Sequence, residues 1–235
     1  MIVAMPVHFH RDLENIRKDI LHVGGLVEAQ VDRALLALLE RRQDLVKAVL
    51  EGDNEIDLDE VRVEEAALRM LALHQPVAND LRFLVASIKL NSDLERMGDL
   101  AVNVAERAAY LMQRPPLPLA LDFEGLGQRV RGQLRTALDA LVNMDEGMAR
   151  EVIAGDDDVD RRTREIISTL EDFLETDSAA VRRGIHLIAT ARHLERIADL
   201  CEHVAEDVVF LVDGEVIRHR HEEYADHEDP GAKFT

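Results

Sequence analysis

Leu94-Glu95-Arg96-Met97-Gly98-Asp99-Leu100 returns one hundred residues later as Leu194-Glu195-Arg196-Ile197-Ala198-Asp199-Leu200. Across positions 93–107 and 193–207, eight of fifteen residues are identical, where shared helical composition alone would give about one or two. Further upstream a shift of 103 lays Gln30, Ala34, Leu35, Ala37 and Leu38 on Gln133, Ala137, Leu138, Ala140 and Leu141. The same shift puts Gly52-Asp53 on Gly155-Asp156 and Asp57 on Asp160. The two registers differ by three residues, so a small length change separates the segments. One unit is used twice in tandem.

That unit is helical. Apolar residues recur three and four apart, as in Leu13, Ile16, Ile20 and again in Leu90, Leu94, Met97, Ala101, and no segment alternates as a half-buried strand would. Breaks are expected at Glu51-Gly52-Asp53-Asn54, Gln75-Pro76, Gly155-Asp156-Asp157-Asp158 and Thr176-Asp177-Ser178, and most strongly at Arg114-Pro115-Pro116-Leu117-Pro118. Each copy then reads as a long first helix, a short one (Asp44 to Leu50; Glu146 to Ile153), a middle helix and a long last helix. Pro76 suits the first turn of one last helix, and Asp177 or Ser178 would cap the other. The expected architecture is all-α: two tandem antiparallel three-helix bundles with six main helices. The bundles would span residues 1–114 and 122–213, joined by a linker at 115–121 and followed by a flexible acidic tail at 214–235.

On a helical wheel the residues Leu90, Leu94, Met97, Ala101, Val104 and Ala108 form one stripe, the core side. Glu95, Asp99, Asn103 and Glu106 fall nearly opposite, and the second copy puts Glu195, Asp199, His203 and Glu206 at the same angles. The acidic row is therefore expected to face outward in both copies. Carboxylates at i and i+4 lie about 5 to 6 Å apart at Cβ, close enough to share or bridge hard cations. A solvated face is the ordinary meaning of any single Glu-x-x-x-Asp; recurrence at matching positions is what singles these out. Six oxygen ligands need more than two side chains. Asp53, Glu55, Asp57 and Glu60 open one middle helix, and Asp156, Asp158 and Asp160 open the other. Asp57 and Asp160 are the matched pair among them. An acidic helix start, favoured by the dipole, is their competing explanation.

Composition narrows the function. With 28 Lys+Arg against 47 Asp+Glu, the net charge of −19 opposes binding to nucleic acid or to an anionic membrane surface. Aromatics are 3% and Trp is absent, so aliphatic side chains must fill the core. The lone Cys201 excludes an internal disulfide and agrees with a reducing compartment. Residues 1–7 are apolar but too short for a signal sequence, and no stretch reaches the roughly 18 uncharged residues of a membrane span. Direct membrane insertion is not expected.

The paired Leu-Glu-Arg-(Met/Ile)-(Gly/Ala)-Asp-Leu motif, the doubled layout and Asp80-Leu81-Arg82 before the first motif resemble the PhoU family of phosphate-signalling regulators, in the same order from His8 to Val212. The resemblance implies two three-helix bundles, surface metal clusters at the Glu-x-x-x-Asp motifs and a homodimer. The metals implied are Fe or Zn, with Mn, Mg or Ca as further options. It also implies a cytoplasmic negative regulator of the phosphate regulon, held at the inner face of the membrane by its partners. Those partners would be the ATPase subunit of the phosphate ABC transporter and a sensor histidine kinase. Carried over by residue, the metal motif falls on Glu95, Asp99, Glu195 and Asp199. Two departures stand out: Asp80-Leu81-Arg82 becomes Ala180-Val181-Arg182, and Asn103 is replaced by His203, whose imidazole favours zinc or iron.

Other features read as structural. Arg82, Arg182, Arg96 and Arg196 recur in both halves beside the acidic face and are expected in ion pairs there, with anion recognition as the alternative role. Gly24-Gly25 should weaken or kink the first helix. His219, His221 and His227 lie in the acidic tail, where solvated disorder is the expectation and metal scavenging the alternative. Cys201 replaces Ala101 and reads as a small packed residue. No Glu is followed three residues later by His, and no Gly-rich phosphate loop or Gly-x-Ser-x-Gly occurs, so an enzyme is not expected. The alternatives are a metal-dependent hydrolase with a surface carboxylate site and a metal-free helical scaffold.

Overall fold

The computed structural model describes residues 7–214, and His219, His221 and His227 lie outside them. All regular structure among the described residues is helical: α1 (Val7–Glu40), α2 (Gln43–His74), α3 (Ala78–Met112), α4 (Phe123–Asn143), α5 (Glu146–Ala154), α6 (Asp156–Thr176), a 3-10 turn (Ser178–Ala180) and α7 (Val181–Asp213). Helices α1 to α3 pack on one another, as do α4 to α7, with α5 and α6 together in the place of α2. The halves meet chiefly where α3 packs on α7, and also where α1 packs on α4.

The short helix expected in the first copy is not separate. Helix α2 continues through Glu51-Gly52-Asp53-Asn54 because Val46, Val49, Ile56, Val63, Ala67 and Met70 keep one buried stripe across it. A lone glycine costs a helix about 1 kcal/mol, which that burial exceeds. In the second copy the break is real: Gly155 ends α5, its N–H donating to the Val152 carbonyl, and α6 begins at once with three aspartates in its first turn. Asp145 caps α5 by accepting from Met148 N at 3.0 Å.

Pro76 lies outside α3 rather than in its first turn: Gln75, left-handed at φ 47°, closes α2, and Val77 precedes the first residue of α3. Asp177 does cap, but it caps the 3-10 turn, accepting from Ala179 N at 3.0 Å, and α7 follows from there. Helix α1 runs unbroken through Gly24-Gly25. Gly24 is there for closeness: a Cβ would stand 2.7 Å from Leu138 Cδ2 of α4. The proline-rich connection occupies residues 113–122. Its Leu117, Leu119 and Leu121 pack against the core, and Arg41 Nη2 donates to the carbonyls of Leu111, Met112 and Arg114, satisfying acceptors at the end of α3.

Leu90, Leu94, Met97, Ala101, Val104 and Ala108 of α3 are all buried, as are Leu194, Ile197, Cys201 and Val204 of α7. The predicted stripe is the core side of each helix. Helices α3 and α7 run antiparallel, since Tyr110 near the end of one stacks on His186 near the start of the other at 3.6 Å. Arg82 at the start of α3 reaches Phe210 near the end of α7. No helix among the described residues is long and apolar enough to cross a membrane.

Candidate metal centres

The outer faces of α2 and α3 bring Asp53, Asp57 and Glu60 against Glu95 and Asp99. Burial holds Glu95 above the ordinary carboxylate range, and the charges of Asp99, Asp57, Glu60 and Asp53 push it the same way. Asp53, Glu60 and Asp99 are raised for the same reason, burial first, and each also feels Asp57. Asp57 is thus the neighbour common to all four. Gln30 of α1 lies beneath, its Nε2 donating to Asp53 Oδ1 at 2.9 Å and to the Gly98 carbonyl at 3.3 Å. Gly98 leaves room for this tie: a Cβ there would lie 3.3 Å from Ile56 Cδ1 and 3.7 Å from Gln30 Nε2.

The second copy builds the matching site more tightly. Asp156 and Asp160 of α6 and Asp199 of α7 present carboxylate oxygens that all lie within 4.8 Å of one another. Burial, then Asp156, Glu195 and Asp160, push Asp199 up to about 6, with His203 acting in the opposite direction. Like charges this close are costly without a positive partner. Glu195 has one on the protein: Arg192 Nη1 donates to both of its oxygens, at 3.1 and 2.9 Å. Glu95 has Ser92 at that spacing instead, so the copies differ in how many carboxylates are already neutralised.

The remaining candidates fall elsewhere. Asn103 and His203 line, with Arg96, Arg196, Asp99 and Asp199, a cleft of about 280 Å³ where α3 crosses α7. Both acidic sites therefore border one shared opening between the halves. Asn103 Nδ2 is engaged by the Asp99 carbonyl at 2.8 Å. Glu106 is exposed, two turns beyond Asp99 and apart from the clustered carboxylates. Glu206 does not face outward: it is 6% exposed, because residues 204–209 are buried throughout and α7 has no solvent face there. The two copies diverge at this point, since α7 is flanked by α3, α4, α5 and α6.

The sequence offers Asp53, Glu60 and Asp156 only within the acidic helix starts and singles out Asp57 and Asp160 as the matched pair. The signal was present in the alignment of Gly52-Asp53 with Gly155-Asp156, but an acidic helix start is common for dipole reasons and did not separate them. The arginine expectation holds only in part. Arg96 pairs with Asp93 at 3.4 Å, whereas among the described residues Arg82, Arg182 and Arg196 have no carboxylate within 4.0 Å. Cys201 is fully buried, and that burial raises its thiol, which leaves it a packed residue.

The donor set consists of clustered oxygens with one imidazole at the margin, and it suits a hard or borderline cation. The raised carboxylates are the observation that fits: a bound cation would offset both the burial and the repulsion that lift Asp199 and Glu95.

Comparison with known proteins agrees with the doubled design. The PhoU domain pattern matches residues 20–108 and again 123–208. The chain is 37% identical over 211 residues to the phosphate-specific transport system accessory protein PhoU homolog of Aquifex aeolicus, covering 90% of this chain and 96% of that protein. It is 33% identical to the PhoU accessory protein of Escherichia coli K12, covering 90% and 88%. The crystal structure of PhoU from Pseudomonas aeruginosa superposes with a TM-score of 0.86 at 36% identity, covering 88% of this chain and all of that one. The phosphate transport system regulatory protein PhoU from Streptococcus pneumoniae gives 0.80 at 27% identity, covering 88% and 98%. With both repeats matched and nine-tenths of its length aligned, the chain belongs to the PhoU family.

Proposed function

We propose that this protein is a cytoplasmic, metal-binding regulator of phosphate uptake and phosphate-responsive signalling. It represses the phosphate regulon by linking the ATPase subunit of the phosphate ABC transporter to a sensor histidine kinase, and it works without catalysing a reaction. The observation that carries the regulatory part is similarity along about 90% of the chain to proteins named as phosphate-transport accessory and regulatory proteins. The metal part rests on the two carboxylate clusters. Asp53, Asp57, Glu95 and Asp99 would hold one group of ions and Asp156, Asp160, Glu195 and Asp199 the other, iron or zinc first among the candidates. A bound cation supplies fixed positive charge that ties α2 to α3, and α6 to α7, across each cluster.

Regulation of this kind requires a difference in affinity for different states of the partners. The exposed Leu58, Val61 and Leu68 on the outer side of α2 supply apolar surface for such contacts. A pull-down with tagged protein from native cells grown at high phosphate should recover the transporter ATPase and a histidine kinase. Recovery of neither would contradict the linking role.

A further inference from the structure

The antiparallel pairing of α3 and α7 gives this molecule two copy-related ends, and they are furnished differently. At one end the Arg82 guanidinium lies 5.8 Å from the centre of the Phe210 ring and donates to Asn79 Oδ1 at 3.0 Å, beside Gly214 at the close of α7. At the other end Arg182 holds the equivalent position, but Ala179 replaces Asn79 and Tyr110 replaces Phe210. This end opens into a cavity of about 460 Å³ lined by Tyr110, Arg114, Pro115, Ser178, Arg182 and Arg183. Among the described residues no Asp or Glu lines it, in a chain with 47 acidic residues against 28 Lys+Arg. Among the described residues none of the three arginines has a carboxylate within 4.0 Å.

Two of these arginines are held in place by contacts that leave donors over. Arg114 lies 3.5 Å above the Tyr110 ring with Nη1 on the Tyr110 carbonyl at 2.9 Å, and Arg183 Nη1 donates to the Pro115 carbonyl at 3.0 Å. Each guanidinium carries five N–H donors, so most remain available. Tyr110 is fixed in turn by its stack on His186. Ser178 adds a hydroxyl, and the start of the 33-residue α7 adds the positive end of its dipole, although the Val181 N–H is already donated to the Ser178 carbonyl. Planar guanidinium forks match the oxygens of a tetrahedral anion in pairs.

We infer that this cavity binds a phosphate-class oxyanion, either free or carried on a small molecule. It is independent of the carboxylate clusters, which lie midway along the same two helices, so either site can fail without the other. Isothermal titration with inorganic phosphate and, separately, with AMP distinguishes the two sources of the anion. At least one probe should bind the wild type, and Arg182→Ala should weaken that probe at least tenfold. Arg182→Lys, which keeps the charge and loses the fork, should fall between them. Arg182 is exposed, so both variants should keep the wild-type thermal transition. The double variant Asp99→Asn, Asp199→Asn should bind as the wild type does, which excludes anion capture by metal in the acidic clusters. Failure of both probes to bind at millimolar concentration would overturn the proposal. So would binding indifferent to Arg182, or binding lost only in the aspartate variant.

Discussion

Replacing Asp199 by asparagine should make the metal-free protein more stable at neutral pH while removing cation binding from the second cluster. Asp199 is pushed up to about 6 by burial and by Asp156, Glu195 and Asp160. A carboxylate raised in the folded state binds its proton more tightly there than in the unfolded chain. Its effect is therefore absent below the unfolded value of 3.8, and its full cost is felt above about 6. Stability lost through this group thus grows as pH rises through that window. The shift corresponds to about 3 kcal/mol at full value, and solvent screening of a half-buried group reduces this to about 1 to 2 kcal/mol. Asparagine carries no proton to lose, so the gap between variant and wild type should open between pH 4.5 and 7.5. Urea unfolding of chelator-treated protein at the two pH values reads it. Adding a binding cation at pH 7.5 should reverse the order, because the ion stabilises only the form that holds it. A variant less stable than wild type in the absence of metal would mean that Asp199 is satisfied by the protein itself.

Neighbouring residues on α7 should behave in opposite ways. Leu194 is 1% exposed in the core, and Leu194→Ala should cost about 3 kcal/mol through lost burial and the cavity left behind. Leu94→Ala, at 0%, should match it. Glu195→Gln turns the adjacent position outward to the acidic cluster and should change stability by about 0.5 kcal/mol or less, while weakening cation binding. Denaturant midpoints separate the two. Equal losses at Leu194 and Glu195 would contradict the division of the helix into a packed and an ion-facing side.

That division was legible in the sequence because it depends on period alone. Leu94, Met97 and Ala101 repeat at helical spacing, and the repeat at 194, 197 and 201 doubled the signal. What period does not encode is enclosure. Glu206 shares its angle with Glu106, yet only α7 is surrounded at that depth, and no local pattern announces that. The fused α2 escaped for a related reason. Gly52 and Gly155 look alike in an alignment, and only the continuous burial from Val49 to Ile56 shows that one is spanned and the other is a break. Asp53 and Asp156 stand in the sequence as acidic helix starts with two equal explanations, and only packing against Glu95 and Asp199 separates ligand from dipole partner. Most surface arginines pair with a carboxylate, which is the sequence expectation for Arg182; the structure gives it a cavity and, among the described residues, no carboxylate within 4.0 Å.

The most direct test is metal content counted per copy. Protein purified without chelator or affinity-tag metal should carry bound transition metal by elemental analysis. Glu95→Ala with Asp99→Ala should remove one share of it, Glu195→Ala with Asp199→Ala the other, and the quadruple variant all of it, with helical circular dichroism unchanged. Metal-free wild-type protein across several preparations, or a quadruple variant that keeps its full metal, would contradict the duplicated cation site.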